Sequence, residues 1–323
     1  LGPEHLEAAL RPMHDAYDEW LDLQEKVVRG EDAPREGEPV AEALPPHLQQ
    51  IAFDAIDSAR LVAARLAEGI DFLVDPANEQ ARQAFAFMNV VMADQRVHSQ
   101  ITELRASEGL SFAAAKAQVA ERGAKAHSWR MFQLGFVLMQ LPALCDPAHE
   151  RRAGADADVE LLFFPTGGGK TEAYLGLAAF TFAIRRLQGV VGEEGLDGST
   201  GVAVLMRYTL RLLTSQQFQR ATTLVCAAEL KRRDDEATWG TTPFRIGMWV
   251  GSDVTPKTIK AAKEDIEEAM EHSSRRPKTL QLRRCPWCGS PIETKNVRLD
   301  EDFDRVHVSC GDEFGDCPFA DAA

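Results

Sequence analysis

The stretch FFPTGGGKTEAYLG, Phe163 to Gly176, sets three consecutive glycines directly before a Lys-Thr pair and then enters a helix-like pattern. Glycine costs backbone entropy on folding and brings no side chain to a core, so its presence here points to a need for bare backbone. The preceding run VELLFF, Val159 to Phe164, has the continuous apolar character of a strand buried on both faces. The following KTEAYLGLAAFTFAIRRLQ has helical spacing. Strand, glycine turn and helix opening at Lys-Thr together form a phosphate-binding loop. The glycines let successive N–H groups turn inward toward phosphate oxygens, and the helix N-terminus adds its positive end. On this reading Thr166, Gly167, Gly168, Gly169, Lys170, Thr171 and Glu172 cradle ATP. Lys170 would reach the outer phosphates and the Thr171 hydroxyl would ligate Mg²⁺, which makes these two the catalytic candidates. The strict G-x-x-x-x-G-K-[ST] pattern has a glycine where Phe164 stands.

Outward from the loop, the chain changes character. Residues 1–128 read as helix after helix, broken by the Pro- and charge-rich linker RGEDAPREGEPVAEALPP. Residues 129–278 alternate apolar runs with helices: VELLFF, then VAVLM at Val202 to Met206, then FRIGMWVG at Phe244 to Gly251. That alternation predicts parallel βαβ units. The glycine- and acid-rich GVVGEEGLDGST between two of them reads as a loop open to disorder. Residues 279–323 form a small cysteine-bearing module. The expected fold is therefore α/β, a P-loop lobe with a parallel sheet, preceded by an all-α domain and followed by a zinc-binding module.

In that module RRCPWCGSPI supplies Cys285 and Cys288 as C-x-x-C, and VHVSCGDEFGDCPF supplies Cys310 and Cys317 at a wider spacing. Two thiolate loops of this kind converge on one tetrahedral ion, so Zn²⁺ is expected. Gly289 relieves the backbone after the second ligand. The wider second spacing leaves His307 as a substitute ligand. A four-thiolate site has no open coordination position, so its role would be structural.

Bulk composition narrows the rest. The chain has 323 residues, with 36 Lys and Arg against 50 Asp and Glu, a net charge of −14. This argues against nucleic acid coating the whole surface but leaves room for a local basic groove. No apolar run reaches the ~18 residues of a membrane span, and the sequence LGPEHLEAAL has no signal-peptide order. Six cysteines, two of them lone in apolar contexts (Cys145 and Cys226), fit a cytoplasmic protein with a metal site.

Four stretches carry a resemblance. T-G-G-G-K-T resembles the first motif of superfamily 2 helicases. Upstream, WRMFQLGFVL, Trp129 to Leu138, resembles their adenine-reading Q motif. Gln133 would pair with the adenine edge while Arg130 or Phe132 covers the ring; an ordinary amphipathic helix is the plainer alternative. Downstream, VAVLMRYTLRLLTSQQFQR sits where those helicases contact nucleic-acid backbone, which would make Arg207, Thr209 and Arg211 phosphate contacts. Thr255 in VGSDVTPKTIK would hold a further phosphate, or simply begin a helix.

Taken in order, these motifs and RCPWCGSPI resemble the large helicase subunits of bacterial DISARM phage-defence systems. The resemblance implies a RecA-like lobe, ATP and Mg²⁺ as cofactors, DNA and a partner subunit as partners, and movement along DNA. The carboxylates that orient water and magnesium have no good counterpart. Asp300-Glu301 lies between the cysteines, and RRDDEAT ends a helix. In the family resembled those parts follow the zinc segment, so the chain is expected to be the N-terminal portion of a longer protein. Two other readings stay open: a P-loop enzyme outside the helicases, such as a nucleotide kinase, and a non-catalytic scaffold switched by nucleotide.

Overall fold

The structure, a computed structural model, describes residues 2–320 except 156, 166, 209–210, 252–253, 273–274, 301, 303–304 and 314–315, with backbone alone at 211–215. The described chain divides into two compact units. One comprises Leu1–Met88 with Trp129–Ala203, the other Asn89–Ser128 with Val204–Ala323.

In the first unit, α1 (Pro3–Arg29) and α2 (Pro46–Val74) pack side by side. α1 ends at Gly30, whose φ of 75° lets its N–H return to the Lys26 and Val27 carbonyls. α2 opens with proline at its first position, where no N–H is needed. Leu21, Val28, Ile56 and Ala63 form their shared core, flanked by Tyr17 and Phe53. Burial of each such large aliphatic side chain contributes about 1.5–3 kcal/mol. Arg60 of α2 gathers Asp18, Asp22 and Glu25 of α1 at the rim. α5 (Met131–Cys145) then lies on α2, and α6 (Lys170–Gln188) on α5. Gly69 is what lets α2 and α5 touch: a Cβ there would stand 2.2 Å from the Leu138 carbonyl oxygen. The segment read as a glycine- and acid-rich loop closes a short antiparallel hairpin, β1 (Val190–Val191) with β2 (Leu196–Asp197).

In the second unit, α3 (Glu79–Ser107, from Asn89 onward) packs on α4 (Phe112–Ala120) through Ile101, Leu104, Ala115 and Val119. α7 (Arg211–Asp234), the short α8 (Glu236–Trp239) and α9 (Ile259–Glu271) follow. Glu229 and Arg232 of α7 are a buried ion pair with N···O 2.8 Å, and Glu229 also accepts the Phe244 N–H. Arg232 therefore has a structural task, holding the end of α7 closed. The antiparallel hairpin β3 (Val297–Asp300) with β4 (Arg305–Val308) completes the unit.

The expected parallel sheet is not seen. Among the described residues the sheets are the two small antiparallel hairpins. The three apolar runs read as its strands have no ladder partner and stand in solvent. Val159, Leu161 and Phe163 are more than four-fifths exposed, and so are Leu205 and Trp249. The reason is physical. An apolar run makes a segment willing to be a buried strand, but pairing requires a neighbour whose backbone offers the opposite hydrogen bonds. Phe244 to Val250 nonetheless alternates half-buried and exposed positions, the period of a strand. No helix among the described residues is long and apolar enough to cross a membrane.

Candidate functional site

The glycine loop lies in the first unit, at the start of α6. Gly167 and Gly169 have φ of 82° and 90°, in the left-handed region that favours glycine. Gly169 is the N-cap of α6, so the helix begins at Lys170. The loop is braced from α5. Gln133, buried, accepts the Arg130 N–H through Oε1 at 2.9 Å and donates from Nε2 to the Gly169 carbonyl at 2.7 Å. The Arg130 guanidinium donates to the Gly168 carbonyl at 2.6 Å. Phe132 stacks on Phe164 with centroids 3.9 Å apart, which seats an aromatic ring where the strict motif has glycine. Lys170 donates to the Phe164 carbonyl, and more weakly to that of Pro165 at 3.4 Å. The carbonyls of the turn are thus occupied by side chains. Arg130 and Gln133, expected to read adenine, here hold the loop itself. Thr166 lies outside the described residues.

The donor set fits a polyanion. The N–H groups at the start of a 19-residue helix lack intrahelical acceptors, and an ammonium stands beside them. Gly168 and Gly169 have no room for side chains: a Cβ would stand 2.7 Å from the Phe164 ring and 2.7 Å from Gln133 Nε2. Thr171 follows in the first turn, with Glu172 after it.

Of the residues expected to follow DNA backbone, Arg207 is exposed, Thr209 lies outside the described residues, and Arg211 is described by backbone alone. Thr255 lines a shallow cavity of about 290 Å³ with Lys257 and Thr258, the N-cap of α9. In the basic stretch RRPKTLQLRR, Arg275 to Arg284, just before the first cysteine, three of the five cations are engaged within the protein. Arg275 pairs with Asp265 and Glu268, Arg276 donates to the Ile292 carbonyl, and Arg284 to that of Gly289. Asp300 sits in the β3–β4 hairpin, and Glu301 lies outside the described residues.

The cysteine centre lies in the second unit. Cys285, Cys288, Cys310 and Cys317 are buried, with all four sulfurs within 4.8 Å of one another. Cys285 and Cys317 are 3.8 Å apart, Cys288 and Cys310 3.3 Å. Both separations are far beyond a disulfide bond of about 2.05 Å. They approach the edge of a tetrahedron with ~2.3 Å zinc–sulfur bonds, about 3.8 Å. His307 is not part of the set; it pairs with Asp300 at 3.4 Å and is half-exposed. The wide second knuckle closes because Cys310 N–H reaches the Phe319 carbonyl and Asp312 accepts the Cys317 N–H.

The four thiols also perturb one another. Hydrogen bonds from Cys285 and the other two sulfurs hold the Cys288 thiol below its ordinary range. The bonds that Cys317 donates to Cys285 and Cys288 push it above. Four thiolates cannot share so small a buried space without a cation, so the donor set fits Zn²⁺. The lone cysteines differ: burial pushes both Cys145 and Cys226 up to about 12, which leaves them unreactive.

Sequence reasoning missed the residues behind the knuckle. His98, Thr102 and Arg105 of α3 all touch it, nearly 190 positions away in the chain.

No protein-family profile matches the chain. Over 240 residues, 73% of its length, it is 35% identical to DISARM protein DrmA of Bacillus paralicheniformis, and that stretch covers 20% of the relative. The chain is therefore similar across most of its own length to DISARM protein DrmA, of which it spans about a fifth.

Proposed function

We propose that the chain is the nucleotide-binding part of an ATP-driven DNA helicase or translocase subunit of a bacterial phage-defence system. The carrying observation is the glycine loop: left-handed Gly167 and Gly169 set before Lys170 at the first turn of α6 and braced by Gln133 and Arg130. The loop amides and Lys170 would hold the phosphates of ATP, with Thr171 on Mg²⁺, and the bound triphosphate would supply the energy of each step. The similarity to DISARM protein DrmA supports the defence role and, with it, a place in a defence-system complex with a partner subunit; a cytoplasmic site of action is part of the same proposal. Exposed Arg207 and the Thr255 turn are the proposed path for DNA backbone. In the longer protein, the runs at 159–164, 202–206 and 244–251 would find strand partners and become the RecA-like sheet; their apolar exposure and, in the third, strand period support this.

The test is calorimetric titration of the chain with an ATP analogue and Mg²⁺. Lys170→Ala is expected to lower affinity at least tenfold, and unchanged binding would overturn the reading. In the full-length protein, ATP hydrolysis that rises with added DNA supports a translocase. Hydrolysis indifferent to every nucleic acid favours a P-loop enzyme of another class.

A further inference from the structure

We infer that the metal affinity of the cysteine centre is set by helix α3, with His98, Thr102 and Arg105 as positioning residues for the first knuckle. This rests on the reading that the four sulfurs hold zinc. The three side chains stand at i, i+4 and i+7 and so share one face of the helix. Each takes a carbonyl of three successive residues in the knuckle. Thr102 Oγ1 donates to Pro286 at 3.4 Å, His98 Nδ1 to Trp287 at 2.7 Å, and Arg105 to Cys288 while also reaching Ser290 Oγ at 3.2 Å. The Thr223 hydroxyl of α7 lies 3.2 Å from the Pro286 carbonyl and shares its one proton between it and the Gln219 carbonyl at 3.0 Å.

The peptide group is planar, so holding a carbonyl fixes the N–H on its opposite edge. One peptide of the knuckle displays both edges. Arg284 donates to the Gly289 carbonyl at 3.0 Å, and the N–H across that same bond, from Ser290, points at Cys288 Sγ at 3.4 Å. The α3 side chains impose the same restraint on the three peptides before it. They fix the turn that presents Cys285 and Cys288, and they do so from outside the module. Two more contacts bind the same surfaces. The His98 ring stacks on Trp287 with centroids 3.4 Å apart. Gly289, with φ of 76°, lies so close to α3 that a Cβ would stand 3.2 Å from Thr102 Cα.

The consequence runs both ways. If α3 holds the knuckle for zinc, zinc holds the last turns of α3. Groups that hydrogen-bond around the ligands of a metal typically change its affinity 10- to 100-fold.

The experiment titrates the chain with Co²⁺, following the thiolate-to-cobalt charge-transfer band, and then measures Zn²⁺ affinity by chelator competition. Arg105→Ala and His98→Ala are each expected to weaken zinc binding about 10- to 100-fold. The four-thiolate spectrum should stay intact, and Arg105→Lys should recover part of the loss. Zinc affinity within twofold of wild type in every variant overturns the inference while leaving the metal site standing. Absence of a cobalt–thiolate band in the wild-type chain overturns the metal reading and this inference together. Should a variant lose helical circular dichroism, hydrogen exchange of the wild-type chain decides. Zinc removal is expected to speed exchange at residues 98–107, and no change there overturns the inference.

Discussion

The glycine loop and the first cysteine knuckle are both tight turns whose carbonyls are held by side chains from an earlier helix. Gln133 and Arg130 of α5 hold Gly169 and Gly168; His98, Thr102 and Arg105 of α3 hold Trp287, Pro286 and Cys288. They differ in what else those holders must do. Behind the knuckle the holders are committed to fixed contacts within the protein, Arg105 reaching Ser290 Oγ and the Leu110 carbonyl as well, and the four cysteines on the other side are buried. In the loop one holder is Lys170 itself, bonded to the Phe164 carbonyl. On the proposed nucleotide reading that bond is provisional, because the ammonium would leave it for a phosphate. A turn meant to persist would be held by residues whose partners all lie within the protein, and a turn meant to change would keep one bond in reserve.

The contrast breaks most visibly on the knuckle side. Cys288→Ser should abolish high-affinity zinc binding, whose free energy in small zinc modules is on the order of 10 kcal/mol. Calorimetry should then show the β3–β4 module losing its cooperative transition while the α1–α2 pair melts as before. Retention of the module transition would mean that the apolar cluster of Ile266, Leu280, Ile292 and Val297 around the cysteines suffices alone.

A smaller effect is expected at the loop. Gln133→Leu removes the acceptor of the Arg130 N–H and one of two donors to the Gly169 carbonyl, which keeps the Glu172 N–H at 3.3 Å, a cost of about 1 kcal/mol. Thermal unfolding should register it in the first unit, with nucleotide affinity falling in parallel. A fall in affinity without a fall in stability would return Gln133 to the adenine-reading role.

The smallest effect is one of pH. Burial lowers the pKa of His98, despite the opposing pull of the Trp287 carbonyl and Asp94. The folded state thus prefers the neutral ring, and its contribution is present above the ordinary histidine value near 6.5 and lost as pH falls. Between pH 7.5 and 6 wild type should lose more stability than His98→Asn. Equal loss in denaturant titrations would show that the thiolates alone account for the slope.

What the sequence revealed follows from how local each signal is. The helix expected over Lys170 to Gln188 forms with those ends, because a glycine cap and an apolar stripe lie within it. Cys285, Cys288 and Gly289 are legible because C-x-x-C-G encodes its own turn. The wider Cys310–Cys317 spacing left room for His307, and only the Asp312 and Phe319 closures explain why both cysteines serve. The parallel sheet does not follow from these runs among the described residues, for the converse reason. VELLFF and VAVLM state a preference for burial but name no neighbour. The hold of α3 on the knuckle was likewise invisible, since His98, Thr102 and Arg105 look like ordinary helix residues until residues 286–288 meet them.

The bare apolar runs also govern how the isolated chain behaves in a tube. Val159, Leu161, Phe163, Leu205 and Trp249 offer sticky backbone-bearing edges, opposed by the mutual repulsion of a −14 charge. Colloidal stability should accordingly be a contest between the two. Raising the ionic strength, or acidifying toward the isoelectric point near 5.1, ought to precipitate the protein well before it unfolds.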